Sequence, residues 1–260
     1  MKRSRFIIIL IAVLVIIIGV LLVLLLFKED KPVSRRENGV QLLNFSVGEE
    51  LSGYTVFDES EQELDISEIP GSNKLLIFAW DKCGDCKAEY ESYRLLFPFY
   101  DTDELNIVFI WDNRIPDDDL DTLSIPSRNS YSASDKYKFT DWVPSYILVD
   151  ENNIIQMKEI DLSMIITHLK ANFTPNQQAF SELFGSSDLL LGVDRCSGCK
   201  SAFDELNAND EDFQYWIEGP VTSTMYEDHT DVHYDPHSIL SAVFDIDSYP
   251  ETIEADDFQK

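Results

Sequence analysis

The feature that most constrains this chain is a repeat in which an apolar run leads into a Cys-x-x-Cys motif and then into an amphipathic helix. The first copy reads Asp81-Lys82-Cys83-Gly84-Asp85-Cys86-Lys87, and the second reads Asp194-Arg195-Cys196-Ser197-Gly198-Cys199-Lys200. Apolar runs precede the two copies at residues 75–80 and 189–193, as expected of buried strands. A strand that enters a helix in this way is an α/β unit, so the repeat predicts two related α/β units in one chain.

The pattern around the first copy predicts a complete α/β domain. Apolar runs at residues 107–111 and 146–149 are typical of buried strands, and residues 153–160 predict another strand after a polar turn. The helix after Cys83 and a closing helix over residues 162–169 each show one apolar face. We therefore expect a central mixed sheet flanked by helices over residues 47–171.

In both copies the first cysteine lies at the start of a helix and the second lies one turn further in. Unpaired backbone N–H groups and the helix dipole stabilise a thiolate at a helix start. Thiol-disulfide exchange needs one accessible thiolate and one shielded thiol that resolves the mixed disulfide. The spacing therefore predicts Cys83 and Cys196 as the attacking cysteines, with Cys86 and Cys199 as the resolving cysteines.

Zinc binding and inert structural disulfides are alternative interpretations of the same four cysteines. Two Cys-x-x-Cys pairs can bind one zinc ion, but 109 residues lie between Cys86 and Cys196, and each pair begins its own helix. A disulfide that closes a four-residue loop at a helix start is a reactive arrangement, which disfavours an inert role.

Three histidines in the second unit leave a metal-binding module as a further alternative. His229, His233 and His237 are spaced four residues apart, and together with the second cysteine pair they offer ligands for copper or zinc. Pro236 interrupts any helix that would align them, and the aspartates around them are typical of a solvated loop. We therefore expect a solvated loop and no resident metal.

Residues 47–170 resemble the TlpA/ResA group of membrane-anchored thioredoxin-like proteins. The matching segments are residues 48–51, residues 64–69, the Cys83-Gly84-Asp85-Cys86 motif and residues 142–150, which read Trp-Val-Pro-Ser-Tyr-Ile-Leu-Val-Asp. The resemblance implies a thioredoxin fold, a cis-proline at Pro144 beside the dithiol, and pairing of the Val143 backbone with an extended client peptide. Trp80 and Lys82, just ahead of the first cysteine, are the other candidate substrate-binding residues.

The second unit resembles a thioredoxin fold more weakly. Residues 248–253 are similar to a cis-proline loop that leads into a strand, and Pro250 would then do for Cys196 what Pro144 does for Cys83. The resemblance implies a tandem arrangement, with a linker over residues 172–186 and a smaller thioredoxin-like domain over residues 187–260. Little sequence remains in this domain for the usual final strand and helix.

One departure from the family pattern concerns proton transfer at the first dithiol. Many thioredoxins have a buried acid on the strand before the cysteines, and here Ile77 occupies that place. The proton acceptor for Cys86 is therefore not identified by the resemblance.

The N-terminal segment predicts a membrane anchor. Residues 6–27 are 22 apolar residues without a charge, and a helix of that length spans roughly 33 Å. Three basic residues precede the run, and neither a small-residue cleavage site nor a lipidatable cysteine follows it. We expect residues 1–30 to form a cytoplasmic stub and an uncleaved signal anchor, and residues 31–46 to form a tether. The domains that follow would then be extracytoplasmic, where the absence of an unpaired cysteine is an advantage.

The charge of the chain excludes some classes of partner. The formal net charge is −28, with 48 acidic and 20 basic residues. Nucleic acid and anionic lipid headgroups would both be repelled by such a protein. No flavin or nicotinamide motif is evident, so we expect no cofactor and assign electron supply to a separate membrane thiol carrier.

These observations predict a membrane-anchored thiol-disulfide oxidoreductase that reduces disulfides in exported, cysteine-containing client proteins. The direction of electron flow is carried only by the resemblance, so a thiol oxidase or isomerase stays open. Peroxide reduction is disfavoured, because the threonine and arginine that a peroxidatic cysteine needs are not found near Cys83.

Overall fold

A computed structural model gives the fold of the chain and describes residues 36–37, 40–42, 45–112, 125–134, 137–138, 142–208, 213–221 and 232–258. In this part of the chain no helix is both long and apolar enough to cross a membrane. The predicted signal anchor at residues 6–27 lies outside the described residues, as does His229.

The described residues form strands in three sheets. In chain order the strands are β1 (Arg36–Glu37), β2 (Val40–Leu42), β3 (Thr55–Phe57), β4 (Glu63–Asp65), β5 (Asn73–Ala79), β6 (Leu105–Trp111), β7 (Ser130–Ala133), β8 (Tyr137–Lys138), β9 (Ser145–Val149), β10 (Ile155–Glu159), β11 (Asp188–Val193), β12 (Phe213–Glu218), β13 (Val232–Asp235) and β14 (Glu251–Ile253). The α-helices are α1 (Gly84–Ala88), α2 (Tyr90–Tyr100), α3 (Leu162–Asn172), α4 (Ala179–Phe184), α5 (Ser197–Ala208) and α6 (Ile239–Phe244). Short 3₁₀ helices cover Ile66–Glu68, Ser127–Asn129 and Ala255–Phe258.

The largest sheet has seven strands in the order β10-β9-β5-β6-β7-β3-β4. Strands β5, β6 and β7 are parallel, whereas β9 pairs antiparallel with β5. The predicted apolar runs form the central strands, and their side chains alternate between two buried faces. One face packs against α2 and α3, and the other packs against residues 45–69. This mixed α/β sheet fits a thioredoxin-like fold.

A second sheet of four strands has the order β13-β12-β11-β14. Strands β11, β12 and β13 are parallel, and β14 is antiparallel to β11. The order and the directions are the same as those of β7-β6-β5-β9 in the first sheet. Within the described residues, only the 3₁₀ helix Ala255–Phe258 follows β14, so this part of the chain holds no counterpart of β10 and α3.

Helix α2 lies between the two sheets. Leu189, Leu191 and Trp216 of the second sheet belong to the same buried cluster as α2 and the first sheet. Helix α4, which falls within the predicted linker, buries Phe180 and Phe184 in this shared core. The opposite face of the second sheet packs against α5. The layers are therefore the first sheet, a helical layer, the second sheet and α5.

Candidate functional site

The first dithiol lies at the junction of β5 and α1. Cys83 is the N-cap of α1, and its Sγ accepts a hydrogen bond from the Cys86 backbone N–H at 3.1 Å. The Cys83 thiol in turn donates to the Val143 carbonyl oxygen at 3.4 Å. Cys83 retains 9% exposure and Cys86 has 0%, and both are free thiols. Both cysteines are thus buried, but only Cys83 keeps an exposed fraction, which places it nearer to the surface than the fully shielded Cys86.

Cys86 is a weak acid in this position. Burial raises the pKa of the Cys86 thiol well above its usual range, and the hydrogen bond with Cys83 raises it further. A thiol with a raised pKa is protonated at neutral pH, and only the thiolate is a nucleophile. Cys86 therefore needs a proton acceptor before it can attack a mixed disulfide.

The loops before β9 and β14 contain the two predicted cis peptide bonds, Val143–Pro144 and Tyr249–Pro250. Both cis-prolines were expected from the resemblance and are confirmed as such, while their functional roles stay predictions. Around the first loop two tryptophans are accessible, Trp142 at 73% and Trp80 at 37% exposure. Lys82 is also exposed, and Val143 is half-buried. Trp142 was not among the predicted site residues, although its place next to Val143 and Pro144 was a usable signal.

A buried hydroxyl pair lies beneath the first dithiol. Tyr93 of α2 and Tyr146 of β9 share a hydrogen bond of 3.0 Å between their hydroxyl oxygens, and both side chains are buried. Burial is the main cause that raises the pKa of both hydroxyls, and the neighbouring Glu89 raises it further, as Cys86 would when deprotonated. Glu89 and Cys86 therefore both act on this hydroxyl pair. The sequence offered no signal for it, since both tyrosines were expected only as core residues.

A polar contact connects the second unit to the first dithiol region. His237 lies between β13 and α6, and its Nε2 forms a hydrogen bond of 2.5 Å with the Glu89 carboxylate. Its Nδ1 shares a hydrogen bond of 2.9 Å with the Ser163 hydroxyl at the start of α3. The expectation of a solvated loop is wrong for His237, which is only partly exposed. His233 lies in strand β13 and not in a loop, although its side chain is exposed and stacks on Trp216 with 4.8 Å between ring centroids.

The second dithiol repeats the local geometry of the first. Cys196 and Cys199 form a disulfide, and the Cys199 backbone N–H donates to Cys196 Sγ at 3.0 Å. Cys199 is buried and Cys196 is half-buried. A Cβ atom on Gly198 would lie 3.7 Å from Pro250 Cδ, so the second cis-proline is next to the second dithiol.

Two buried carboxyl groups lie at the ends of β12 and β13. Glu218 and Asp235 are register partners, and both are almost fully buried. Glu218 accepts hydrogen bonds from the Tyr249 hydroxyl and from the Ser241 backbone N–H. Burial and the adjacent Asp235 raise the pKa of Glu218 to about 7. The sequence analysis missed this pair, although an acid at the end of an apolar run was a signal for it.

No group of three or more histidine, cysteine, aspartate or glutamate residues is placed to hold a metal ion in the part of the chain that the structure describes. His233 and His237 are directed to Trp216 and Glu89 instead of to the second cysteine pair.

No protein-family model matches the chain, and neither does any curated protein. Among solved structures, a conserved protein of unknown function from Bacteroides fragilis is similar with a TM-score of 0.39 and 13% identity, over 48% of this chain and 99% of that one. A thioredoxin-like protein from Bacteroides caccae has a TM-score of 0.40 and 14% identity, over 48% of this chain and 50% of that one. The thioredoxin domain of a thiol-disulfide oxidoreductase from Bacteroides vulgatus has a TM-score of 0.33 and 17% identity, over 45% and 89%. Because these TM-scores are below 0.5, the fold assignment depends on the strand order and the dithiol geometry described above.

Proposed function

We propose that this protein is a thiol-disulfide oxidoreductase whose first dithiol, Cys83 and Cys86, exchanges disulfides with client proteins. The observation that carries the proposal is the pairing of a near-surface sulfur at a helix start with a buried sulfur one turn further in. Cys83 also contacts the backbone of the cis-proline loop through Val143. These are the parts that thiol-disulfide exchange needs, namely an attacking thiolate, a resolving thiol and an adjacent backbone for client binding.

In the reducing direction the exchange proceeds by two successive displacements at sulfur. The Cys83 thiolate attacks one sulfur of the client disulfide, a Cys83–client bond forms, and the other client sulfur leaves as a thiolate and takes a proton from water. Cys86 then loses its proton to water and attacks Cys83 Sγ, so that the Cys83–Cys86 bond forms and the Cys83–client bond breaks. The second client sulfur leaves as a thiolate and takes up a proton. The two electrons that reduce the client come from the Cys83–Cys86 dithiol, which is oxidised to a disulfide.

The surface around Cys83 favours an extended client segment. Val143 lies beside Cys83 at the start of β9, where an extended chain can pair with the loop backbone. The exposed rings of Trp142 and Trp80 offer apolar contact area in the two loops whose backbones contact Cys83. Lys82 adds one positive charge in a protein that is otherwise strongly acidic.

We further propose that the enzyme is a TlpA/ResA-like protein held at the cell membrane by residues 6–27, with both units outside the cytoplasm. The support is the uncharged apolar run and the confinement of all cysteines to pairs. Its clients would then be exported proteins. A membrane thiol carrier would re-reduce the Cys83–Cys86 disulfide, because the chain shows no redox cofactor motif of its own.

The second unit supports a tandem arrangement with two separate dithiol sites. Its strand order and directions equal those of β7-β6-β5-β9 in the first sheet, and its cysteines and cis-proline occupy the same places. Cys86 packs in the cluster on one face of the second sheet, whereas Cys199 packs in the cluster on the other face. A disulfide needs Cα atoms about 4.4–6.8 Å apart, and an intervening sheet does not allow this. Any electron relay between the two sites would therefore run through an external carrier or a second molecule.

A trapping experiment tests the proposal. Cys86→Ser should leave Cys83 able to attack but unable to be resolved, so the full chain should accumulate a mixed disulfide with a disulfide-containing peptide. Mass spectrometry of the digested adduct should place the peptide on Cys83, and Cys83→Ser should abolish capture. Equal capture by both variants would overturn the role of Cys83.

The direction of electron flow is decided by the reduction potential of the first dithiol. Equilibration in glutathione buffers, followed by alkylation and mass spectrometry, measures this potential for each pair separately. A value near about −270 mV is expected for a reductase, whereas a value near about −120 mV would make the protein a disulfide donor.

A further inference from the structure

A cleft lies at the end of the first sheet that is opposite to the first dithiol. Cys83 follows the C-terminal end of β5, whereas the cleft is formed where β5 and β6 begin and where β3 ends. Its volume of about 550 Å³ is within the range of small-molecule sites, about 300–1,000 Å³. The described residues that line it include no cysteine, so a ligand bound here would be separate from the thiol chemistry.

The charged groups of the cleft are mostly acidic. Among the described lining residues four are acidic and one is basic, namely Asp58, Glu59, Asp101, Asp103 and Arg128. The first two directly follow β3, and the next two precede β6. Strand β7 lies between β6 and β3 in the sheet, so its first residues separate two acidic pairs. The cleft therefore offers two negative centres to a ligand that has two positive groups.

The acidic pairs act on buried groups of the cleft. Burial raises the pKa of the Tyr131 hydroxyl, and the charges of Asp58 and Glu59 raise it further. Burial also raises the pKa of the Asp101 carboxyl, although hydrogen bonds and the Arg128 charge lower it. A positive charge on a ligand would stabilise these carboxylates in their ionised form.

Asp101 is held in place through one of its two oxygens. The Ile107 backbone N–H at 2.9 Å and the Asn129 side-chain amide at 3.3 Å both donate to Asp101 Oδ1. Asn129 is itself buried and also donates to Asn106 Oδ1 at 2.7 Å. These bonds fix the carboxylate, and Oδ2 is the oxygen that a ligand would contact.

Ser130 places a hydroxyl without a partner in the same cleft. The residue is 1% exposed, and its hydroxyl oxygen forms no hydrogen bond with the described residues. Its neighbour Tyr131 packs on the sheet face opposite to α2, so the Ser130 side chain lies on the α2 side, where Asp101 ends the helix. A buried hydroxyl without a partner is rare in folded proteins, and a ligand that donates to it would supply the missing bond.

The donor groups favour an organic cation over a metal ion. In the described part of the chain, no three histidine, cysteine, aspartate or glutamate side chains are placed to hold a metal. The lining instead combines separated carboxylates with hydroxyl and amide groups, among them those of Ser127, Ser130 and Asn129. Such oxygens accept hydrogen bonds from ammonium groups, and those to carboxylates are the strong ones.

We propose that this cleft binds an aliphatic diamine or polyamine. One amino group donates to Asp101, Asp103 and the Ser130 hydroxyl, and a second amino group binds the Asp58–Glu59 pair. The methylene chain between them spans the start of β7. The formal net charge of −28 attracts such a ligand to the protein. This site goes beyond the proposed function and does not depend on it.

Isothermal titration calorimetry of the full chain with 1,4-diaminobutane and with spermidine tests the proposal. The titrations are made at about 0.15 M salt, because an acidic protein attracts any cation and salt screens this general attraction. We expect saturable binding of one ligand per chain, and at least about tenfold weaker binding of 1-aminobutane, which lacks the second amino group. Absence of saturable binding, equal binding of 1-aminobutane, or displacement of the diamine by an equal concentration of Mg²⁺ would each overturn the proposal. A chain that binds a lysine-containing peptide and neither amine would overturn it in favour of a protein partner.

Two double variants show whether the cleft carries the binding. Glu59→Gln with Asp103→Asn removes one exposed charge from each acidic pair. The control, Glu61→Gln with Glu104→Gln, removes two exposed charges that are close in sequence but do not line the cleft. The first variant should bind the diamine at least about tenfold more weakly, and the control should stay within about twofold of the parent. Equal losses in the two variants would mean general attraction of cations and would contradict the site.

Ser130→Ala tests the buried hydroxyl. It should weaken diamine binding by about three- to tenfold, as for one lost hydrogen bond. The free energy of unfolding without ligand should not fall, because the hydroxyl has no partner to lose among the described residues. An unchanged affinity would refute the position assigned to the first amino group. Peptide capture at Cys83 should be the same in all these variants, so failure of this site and failure of the proposed function are distinguishable.

Discussion

The two dithiol sites of this chain share a backbone design and differ in the groups behind it. Ala79 and Gly192 each lie four residues before the first cysteine, and each pairs with a neighbouring parallel strand, at Trp111 and Ile217. In both sites the second cysteine donates its N–H to the first sulfur, at 3.1 and 3.0 Å. The residues that directly follow the paired positions on the two neighbouring parallel strands differ between the sites. At the first site they are Asp112 and Ala133, and at the second site they are Glu218 and Asp235.

The two sites take their charged groups from different parts of the chain. The second unit has a carboxyl pair buried within its own sheet, whereas the first unit has a carboxylate at a helix junction that is bound by a histidine of the second unit. The buried pair also holds the loop that presents this histidine. The second unit therefore contributes to the first site, while the first site contributes no comparable group to the second within the described residues.

The largest effect we expect is the loss of client exchange when the first attacking cysteine is removed. Cys83→Ser should lower the rate of reduction of a disulfide-linked peptide by more than about a hundredfold, because the buried Cys86 cannot replace the Cys83 nucleophile at this site. Cys196→Ser should leave that rate within about twofold, since a sheet lies between the two dithiols. The measurement is peptide thiol release with a chemical reductant in excess. Equal losses in both variants would show that the two sites work as one.

The second prediction concerns the pH dependence of stability that the buried carboxyl pair imposes. The folded-state pKa of Glu218, about 7, lies above that of an unfolded glutamate, so the folded state binds more protons between these values. Stability should therefore fall as the pH rises from about 4.5 to 7. Glu218→Gln removes this pH-dependent loss of stability. The glutamine Oε1 and amide group can still form hydrogen bonds with Ser241 and Tyr249.

Urea unfolding of the full chain measures this difference. Glu218→Gln should exceed the parent in the free energy of unfolding by on the order of 3 kcal/mol at pH 8, and the gain should vanish near pH 4. Glu254→Gln on the surface is the matched control and should be neutral at both pH values. A gain that does not change with pH would contradict the role assigned to the Glu218 charge.

The third prediction uses the residue pair Ala79 and Gly192. A Cβ on Gly192 would lie 3.0 Å from Cys199 Cβ and would also meet the Tyr215 hydroxyl, so the second site has no space where the first has a methyl group. Gly192→Ala should destabilise the protein by about 2 kcal/mol in urea unfolding, as for an overpacked core. Gly84→Ala, where a Cβ meets nothing within 4 Å, is the control and should change stability little. If the two substitutions cost the same, the close packing of Tyr215 and Cys199 against Gly192 would not be what requires glycine.

Much of the backbone could be predicted from the sequence, because each strand or helix is specified by a short continuous segment of the chain. The apolar runs correspond to β5, β6, β9 and β11, and the repeat of the cysteine motif corresponds to the equal strand orders of the two sheets. The strands β7, β3 and β4, which complete one side of the first sheet, were missed, since they are short and only partly apolar.

The polar part of the site could not be predicted, because its members are distant in sequence. Glu89 and His237 are 148 positions apart, and nothing in their local sequence indicates contact. The aspartates near the histidines indicated a solvated loop, yet Asp235 is fully buried and its carboxylate accepts backbone N–H groups. In the sequence, a buried carboxylate that accepts the backbone N–H groups of a loop cannot be distinguished from an exposed one. Only the packing of the two sheets on α2 distinguishes them.

The smallest effect we expect comes from the loops that carry the two cis-prolines. Two residues before the proline, the first loop has Trp142 and the second has Ser248, and both are exposed. Trp142→Ser would make the first loop resemble the second at this place. We expect KM for a peptide with an apolar residue beside its disulfide to rise by about three- to tenfold, with kcat nearly unchanged, because an indole contact contributes about 1 kcal/mol to binding.

The free energy of unfolding should not change, since the side chain is 73% exposed. A fall in kcat with constant KM would instead mean that Trp142 affects the reacting sulfur, and a peptide without apolar residues should show no change in either constant.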